Sequence, residues 1–219
     1  MSDIGRRRAA RAAADDPAYT RRLADIREAA VRVFRAKGLR VASLNDVAEE
    51  LGTSRASLYY YVGSKEELFR DVVSEAVTAN IEAAEKVLAQ PLPASRKLAR
   101  LIELLMASFE RHYPYLYVFV QEDFSKLGGD AETASEPWDA TIREWNQRYF
   151  DLVKQVVSEG IAAGDLRTSL PAGVVANCVI GMMNSSHVWF RPNGLMDATE
   201  LGEGMARMLL AGLEPATGD

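Results

Sequence analysis

Hydrophobic positions along this chain recur at the spacing of helices and nowhere alternate long enough to make a strand. From about Tyr19 to Lys37, Leu23, Ile26, Ala30, Val33 and Phe34 share one face, and Gly38 follows where a left-handed cap belongs, which predicts a first helix. Two short helices come next. Leu44, Val47, Ala48 and Leu51 form a face ended by Gly52, and Ala56 to Val62 start after Ser54, a residue suited to capping. Ser64-Lys65-Glu66-Glu67 reads as a capping box for a fourth helix, whose stripe of Leu68, Val72, Val73, Ala76, Ile81, Ala84 and Leu88 carries it to about Ala89. Pro91 and Pro93 then break the chain.

Beyond the prolines, helices are predicted from Ser95 to about Arg111, from Tyr115 to about Lys126, and from about Pro137 to Ala163, the last preceded by a Gly128-Gly129 loop and striped by Trp145, Tyr149, Leu152, Val156 and Ile161. Two more follow. The span from Ala172 to Trp189 is apolar nearly all round, so it needs cover on two sides, and a second copy of the chain is the expected second cover. The prediction is an all-α protein in four parts: an arm over 1–18, a three-helix unit over 19–66, a larger helical unit over 67–214 and a tail over 215–219.

Composition fits this picture. With 48% hydrophobic and 26% charged residues over 219 positions, the chain is globular in character. Its longest apolar runs fall short of the roughly 20 residues a spanning helix needs, and its first residues lack the apolar stretch of a signal peptide, so a cytoplasmic protein without membrane contact is expected. Cys178 stands alone, and His112 and His187 are not spaced as metal ligands, so neither disulfide, metal nor cofactor is expected. No nucleophile with its base and no phosphate loop is visible, and the chain does not read as an enzyme.

Charge changes the picture more. The net charge of -5 is the balance of two unlike parts: residues 1–65 hold 13 Lys and Arg against 8 Asp and Glu, a net of +5, and residues 66–219 hold 13 against 23, a net of -10. Local positive potential is what phosphate binding needs, and Arg6, Arg7, Arg8 and Arg11 cluster in the arm. A helix-turn-helix places its second helix in a major groove about 12 Å wide while caps and hydroxyls hold flanking phosphates. The candidate DNA contacts are Ser43, Leu44, Thr53, Ser54, Arg55, Ser57, Tyr59, Tyr60, Tyr61 and Lys65, with Leu58 facing inward. Arg55 alone among them has a donor fork suited to a guanine edge. Three consecutive helical tyrosines point roughly 100° apart, so at least one must face outward.

The run Gly38, Ser43, Asp46-Val47-Ala48, Leu51-Gly52-Thr53-Ser54, Leu58-Tyr59-Tyr60-Tyr61 and Ser64-Lys65-Glu66-Glu67-Leu68 resembles the N-terminal signature of TetR-family regulators, departing from it at Leu44 and Val62. The resemblance implies a three-helix DNA-binding domain, a larger helical ligand-binding and dimerisation domain, a homodimer, and release from a double-stranded operator when an effector binds. On effector binding the helix around Glu67 to Ala89 is expected to pivot and change the spacing of the two recognition helices.

The larger unit is rich in aromatics and methionine, which either fill a core or line a pocket for a small hydrophobic effector. The candidate lining is Phe109, Tyr113, Tyr117, Val120, Phe124, Trp145, Tyr149, Met183, His187, Phe190 and Arg191. The segments Trp189-Phe190-Arg191-Pro192-Asn193-Gly194, Ser108-Phe109-Glu110 and Gln121-Glu122-Asp123 resemble TetR-family repressors of fatty-acid and sterol-ring degradation, which implies an acyl-CoA thioester. The stretch from Asn177 to Val188 holds no Lys or Arg, only Asn177, Asn184, Ser185, Ser186 and His187 as polar groups, so a CoA moiety would look to Arg148 or Arg191. A free acid, a sterol or a drug-like amphiphile sensed by an efflux regulator stays open, as does a ligand-independent DNA-binding or scaffold protein. Arg191 is alternatively a charge at a helix C-terminus.

Overall fold

The computed structural model describes residues 16–126, 137–192, 194 and 196–212, with the side chains of 122–126 and 137–139 excepted; the arginine-rich arm, the Gly128-Gly129 loop and the C-terminal tail lie outside the described residues. These residues form α1 (Pro17–Lys37), α2 (Leu44–Glu50), α3 (Arg55–Tyr61), α4 (Lys65–Leu88), α5 (Ala94–Arg111), α6 (Tyr115–Lys126), α7 (Pro137–Ala163), α8 (Ala172–Ser185), a 3-10 turn (Ser186–Val188) and α9 (Ala198–Ala211). The architecture is all-α, with no strand among the described residues. The chain divides into two compact units, Met1–Ser74 and Glu75–Asp219, and the division falls inside α4 rather than at its start.

In the first unit α1 begins two residues earlier than its apolar pattern indicates. Asp16 accepts from the Ala18 amide at 2.9 Å, and Pro17 occupies a first-turn position where its missing amide proton is no loss. The buried face of Ile26, Ala30, Val33 and Phe34 packs on α2, and α2 on α3. Gly52 turns the chain between α2 and α3 at φ 61°, where a side chain would be strained. Leu58, Leu44 and Val47 are buried together with Val62.

Caps fix the helix starts. Ser43 Oγ accepts from the Asp46 amide, and the Asp46 carboxylate accepts from both the amide and the hydroxyl of Ser43, a complete capping box. The expected box at Ser64 differs in one bond: Ser64 Oγ accepts from the Glu67 amide at 3.0 Å, but the Glu67 carboxylate takes the Gly63 amide at 3.1 Å instead of that of Ser64.

In the second unit α5 packs along α9, and Gly202 makes the approach close: a Cβ there would lie 3.0 Å from the Glu103 Cα. The helices α7 and α8 pack on each other and on α5. Pro93 offers no side-chain cap to α5, and Asp165, seventy positions on, supplies one by accepting from the Ser95 amide at 2.7 Å. α8 ends at Ser185, and a 3-10 turn completes the span expected as one helix. It buries Val175, Ala176, Val179 and Met183, while Val174 stays 43% exposed and Cys178 is exposed. No described helix is long and apolar enough to cross a membrane.

The Asp46 box gives the first unit a pH dependence. The carboxyl is held down to about 2, first by the hydrogen bond from Lys37 Nζ at 2.6 Å and then by the bonds from Ser43. An unfolded carboxylate titrates near about 3.9, so this contribution is full above that value and is lost as pH falls through the folded value. Comparing melting temperatures of wild type and Asp46→Asn from about pH 5 to pH 2 checks this: the wild-type advantage is expected to vanish at the acid end, and an undiminished advantage there would refute it.

Candidate functional site

α3 presents the candidate DNA face. Ser54 caps it, its Oγ accepting from the Ser57 amide at 3.2 Å, and Leu58 anchors it at 1% exposure. With Leu58 inward, Arg55 and Ser57 face outward with Tyr59 at 39% and Tyr60 at 64% exposure. Ser43 and Thr53 stand at the starts of α2 and of the turn before α3, Ser43 exposed and Thr53 half-buried. Leu44 leaves the set of contacts, because its side chain is 6% exposed and sits in the core that supports α3. The tyrosine triplet divides its work. Tyr61 is half-buried, its ring 5.0 Å from that of Tyr19 on α1, and Tyr60 meets Tyr19 edge-on at 6.4 Å. Burial, followed by the neighbouring Tyr60 and Tyr61, pushes the Tyr19 phenol up.

Lys65 is placed differently from an extended phosphate hook. Its ammonium donates to the Leu39 carbonyl at 2.8 Å and the Ala42 carbonyl at 2.9 Å, tying the chain between α1 and α2 to the start of α4. Two of its three donors are thereby committed to holding the helix-turn-helix in shape.

The second unit contains a cavity of about 480 Å³, within the range of small-molecule sites. Val77, Asn80 and Ile81 of α4, Leu105 of α5, and Leu116, Phe119 and Val120 of α6 form part of its wall. α7 adds Arg143, Trp145, Asn146, Gln147, Tyr149 and Phe150, and α8 adds Asn177, Ile180, Gly181 and Asn184. Burial pushes the Tyr149 phenol far up, so it stays neutral and acts as a hydroxyl. The wall is therefore largely apolar with five carboxamides, one phenol and a single cation, Arg143, and contains no carboxylate among the described residues. A guest with an apolar body and carbonyl, hydroxyl or singly anionic oxygens suits that set.

Of the expected lining, Val120, Trp145 and Tyr149 lie on this wall. Phe109, Met183 and Phe190 are buried outside it, in the core. Tyr113, Tyr117, His187 and Arg191 assemble elsewhere: Tyr117 lies edge-on to Tyr113 and His187, and the Arg191 guanidinium is 5.7 Å from the Tyr117 ring. Arg191 donates to the carbonyls of His187, Val188 and Phe190, which makes it a cap for the 3-10 turn. Arg148 pairs with Glu85 at 2.6 Å. The side chain of Phe124 lies outside the described residues. Sequence reasoning missed Asn80, Asn146 and Arg143 as wall residues. The signal available was periodicity: Arg143, Asn146 and Phe150 fall on one face of α7, as Asn177, Gly181 and Asn184 do on α8.

Residues 26–72 match the family model described as bacterial regulatory proteins, tetR family, and residues 91–213 match that of the tetracyclin repressor-like C-terminal domain. The chain belongs to the TetR family. Among its TetR relatives is the HTH-type transcriptional repressor KstR2 of Mycobacterium tuberculosis, 27% identical over 197 residues that cover 88% of this chain and 92% of that protein. The structure of that ketosteroid regulator superposes with a TM-score of 0.77 at 23% identity, covering 89% of this chain and 96% of the other. Two further TetR-like folds are AibR in complex with isovaleryl coenzyme A and operator DNA, with a TM-score of 0.70 at 20% identity over 87% and 99% of the two chains, and FadR of Bacillus subtilis in complex with stearoyl-CoA, with a TM-score of 0.63 at 20% identity over 86% and 97%. The TetR families matched are transcriptional regulators, not enzymes.

The Lys65 brace makes a stability prediction. Lys65→Met removes two charge-assisted hydrogen bonds to part-buried carbonyls. A loss of about 1–3 kcal/mol is expected in urea unfolding followed by circular dichroism; unaltered stability would mean that the ammonium is not bracing this turn.

Proposed function

We propose that this chain is a dimeric repressor that binds a double-stranded operator through α3 and leaves it when a hydrophobic effector enters the cavity of the second unit. The observation that carries the effector half is the cavity itself: a largely apolar, partly open cleft of about 480 Å³ with carboxamides at 80, 146, 147, 177 and 184 and a phenol at 149. A constitutive DNA-binding or scaffold protein has no use for an apolar cleft of ligand size with polar groups placed along it. The basic balance of residues 1–65 and the outward Arg55, Tyr59 and Tyr60 support the DNA half. Exposed Val174 and Cys178 on α8 support a second copy as the missing cover of that helix.

Relatives that bind acyl thioesters make an acyl-CoA or a sterol-derived acid the first effector class. In this chain the acyl or ring portion would occupy the cavity and its carbonyl would meet the carboxamides. A second reading rests on the single cation: Arg143 alone on the described wall suits one negative charge, as on a free acid or drug-like amphiphile, better than the several phosphate charges of CoA. α4, continuous in sequence from the first unit into the second, is the covalent route by which occupancy of the cavity would reach α3.

Thermal-shift measurement with long-chain acids, their CoA thioesters, sterol acids and hydrophobic drugs tests this, using wild type and Gly181→Phe. Gly181 lies on the cavity wall and a Cβ there meets nothing within 4 Å, so a side chain introduced at this position is expected to take up cavity space. A ligand at a hundredfold excess over its Kd is expected to raise the wild-type Tm by about 5–10 °C and the variant far less. A rise with thioesters but not free acids selects the lipid- or sterol-breakdown class, and a rise only with free amphiphiles selects the second reading. No rise with any of them, or the same rise in Gly181→Phe, would remove the cavity from the account.

A further inference from the structure

One side-chain pair on α3 is organised before any DNA is present. Arg55 is the first residue of the helix and Tyr59 stands four positions later, so the two occupy neighbouring places on one face. A terminal nitrogen of Arg55 donates to the Tyr59 hydroxyl at 2.9 Å, and the guanidinium carbon lies 5.1 Å from the centroid of the Tyr59 ring. Tyr60 and Tyr61 contact Tyr19 instead. The triplet thus has two tasks: its last two rings lock α3 to α1, and its first ring engages the arginine.

Arginine carries five N–H donors in a planar fork, and the bond to Tyr59 uses one of them. Four remain, and two suffice for the O6 and N7 acceptors of guanine in the major groove. We propose that Tyr59 is a positioning residue that holds the Arg55 fork ready for a guanine edge, so that discrimination at one base pair of the operator depends on the Tyr59 hydroxyl as well as on Arg55. The proposal rests on the assignment of α3 as the recognition helix made above. An exposed arginine otherwise spreads over many rotamers and must be ordered when it binds; a fork already held by a hydrogen bond and a ring face has less freedom left to lose. The hydroxyl also sets the rotation of the guanidinium plane, which the ring alone leaves free, and a bidentate contact depends on that plane.

Selection of half-sites from a randomised duplex pool, followed by competition binding of the selected duplex against single-base variants, separates the possibilities. The proteins are wild type, Arg55→Ala, Tyr59→Phe and the double variant, each checked for an unchanged circular dichroism spectrum and Tm. Tyr59→Phe keeps the ring and removes only the hydroxyl. The expected result is a guanine in the wild-type half-site whose preference Arg55→Ala abolishes and Tyr59→Phe reduces about three- to tenfold, the range of one exposed hydrogen bond. Other positions should keep their preferences, and the double variant should match Arg55→Ala. If Tyr59→Phe keeps the full guanine preference, or weakens binding to every sequence equally as a lost phosphate contact would, the positioning role is overturned while the recognition helix stands. If Arg55→Ala leaves the selected half-site unchanged, the assignment of the recognition face falls and the positioning role with it.

Discussion

Helices α2 and α3 have seven residues each, and an isolated helix of fewer than roughly 12–15 residues is marginal in water. Neither can hold its shape alone. Both depend on burying one shared set of side chains, Leu58 at 1%, Val47 at 0% and Leu44 at 6% exposure, and on the caps at Ser43 and Ser54. Truncating a leucine at such a position costs about 2–5 kcal/mol, comparable with the whole stability of a small domain. The outward set follows from the inward one. Once Leu58 is fixed as the plug, helical geometry sends Arg55, Ser57, Tyr59 and Tyr60 to the open side, and Tyr19 holds the last turn of α3 against α1. The Lys65 ammonium closes the remaining gap by satisfying two carbonyls of the chain between α1 and α2.

In the second unit the helices leave a partly open space between them. Five helices contribute to the wall, and the polar groups there stand at helical intervals within otherwise apolar faces. The carboxamides among them are half-buried or exposed, and a guest that carries matching oxygens or amides suits them. Arg148, between the wall residues Gln147 and Tyr149, is paired with Glu85, and Arg191 is occupied with the carbonyls of the 3-10 turn. Arg143 is left as the positive charge on the described wall, and under the proposed function it limits the effector's charge more than the abundance of aromatics does.

Helix identity was legible because each helix carries its own periodic stripe and its own stop, such as Gly38, Gly52 or the pair Pro91 and Pro93. Local chemistry was legible too: the caps at Ser54 and Ser64 require only neighbours in sequence. What escaped depended on distant partners. No local pattern ties Asp165 to the start of α5, Lys65 to Leu39 and Ala42, or Arg148 to Glu85. The effector site was only partly legible for the same reason. Counting aromatics and methionines found Trp145 and Tyr149, but it also gathered Phe109, Met183 and Phe190, which fill the core, and Tyr113, Tyr117 and His187, where Tyr117 lies edge-on to the other two. A cavity is defined by where side chains from several helices fail to meet, and residue type alone does not record that.

In the proposed function, occupancy of the cavity and DNA binding by α3 are linked. The direct measurement is the affinity of the dimer for a selected operator duplex, by fluorescence anisotropy at fixed salt, with and without a ligand that raises Tm, paired with ligand affinity measured with and without the duplex. The account predicts that the ligand weakens DNA binding by about 5–150-fold and that the duplex weakens ligand binding by the same factor, as linkage requires. A ligand that saturates the cavity while both affinities stay unchanged would contradict it.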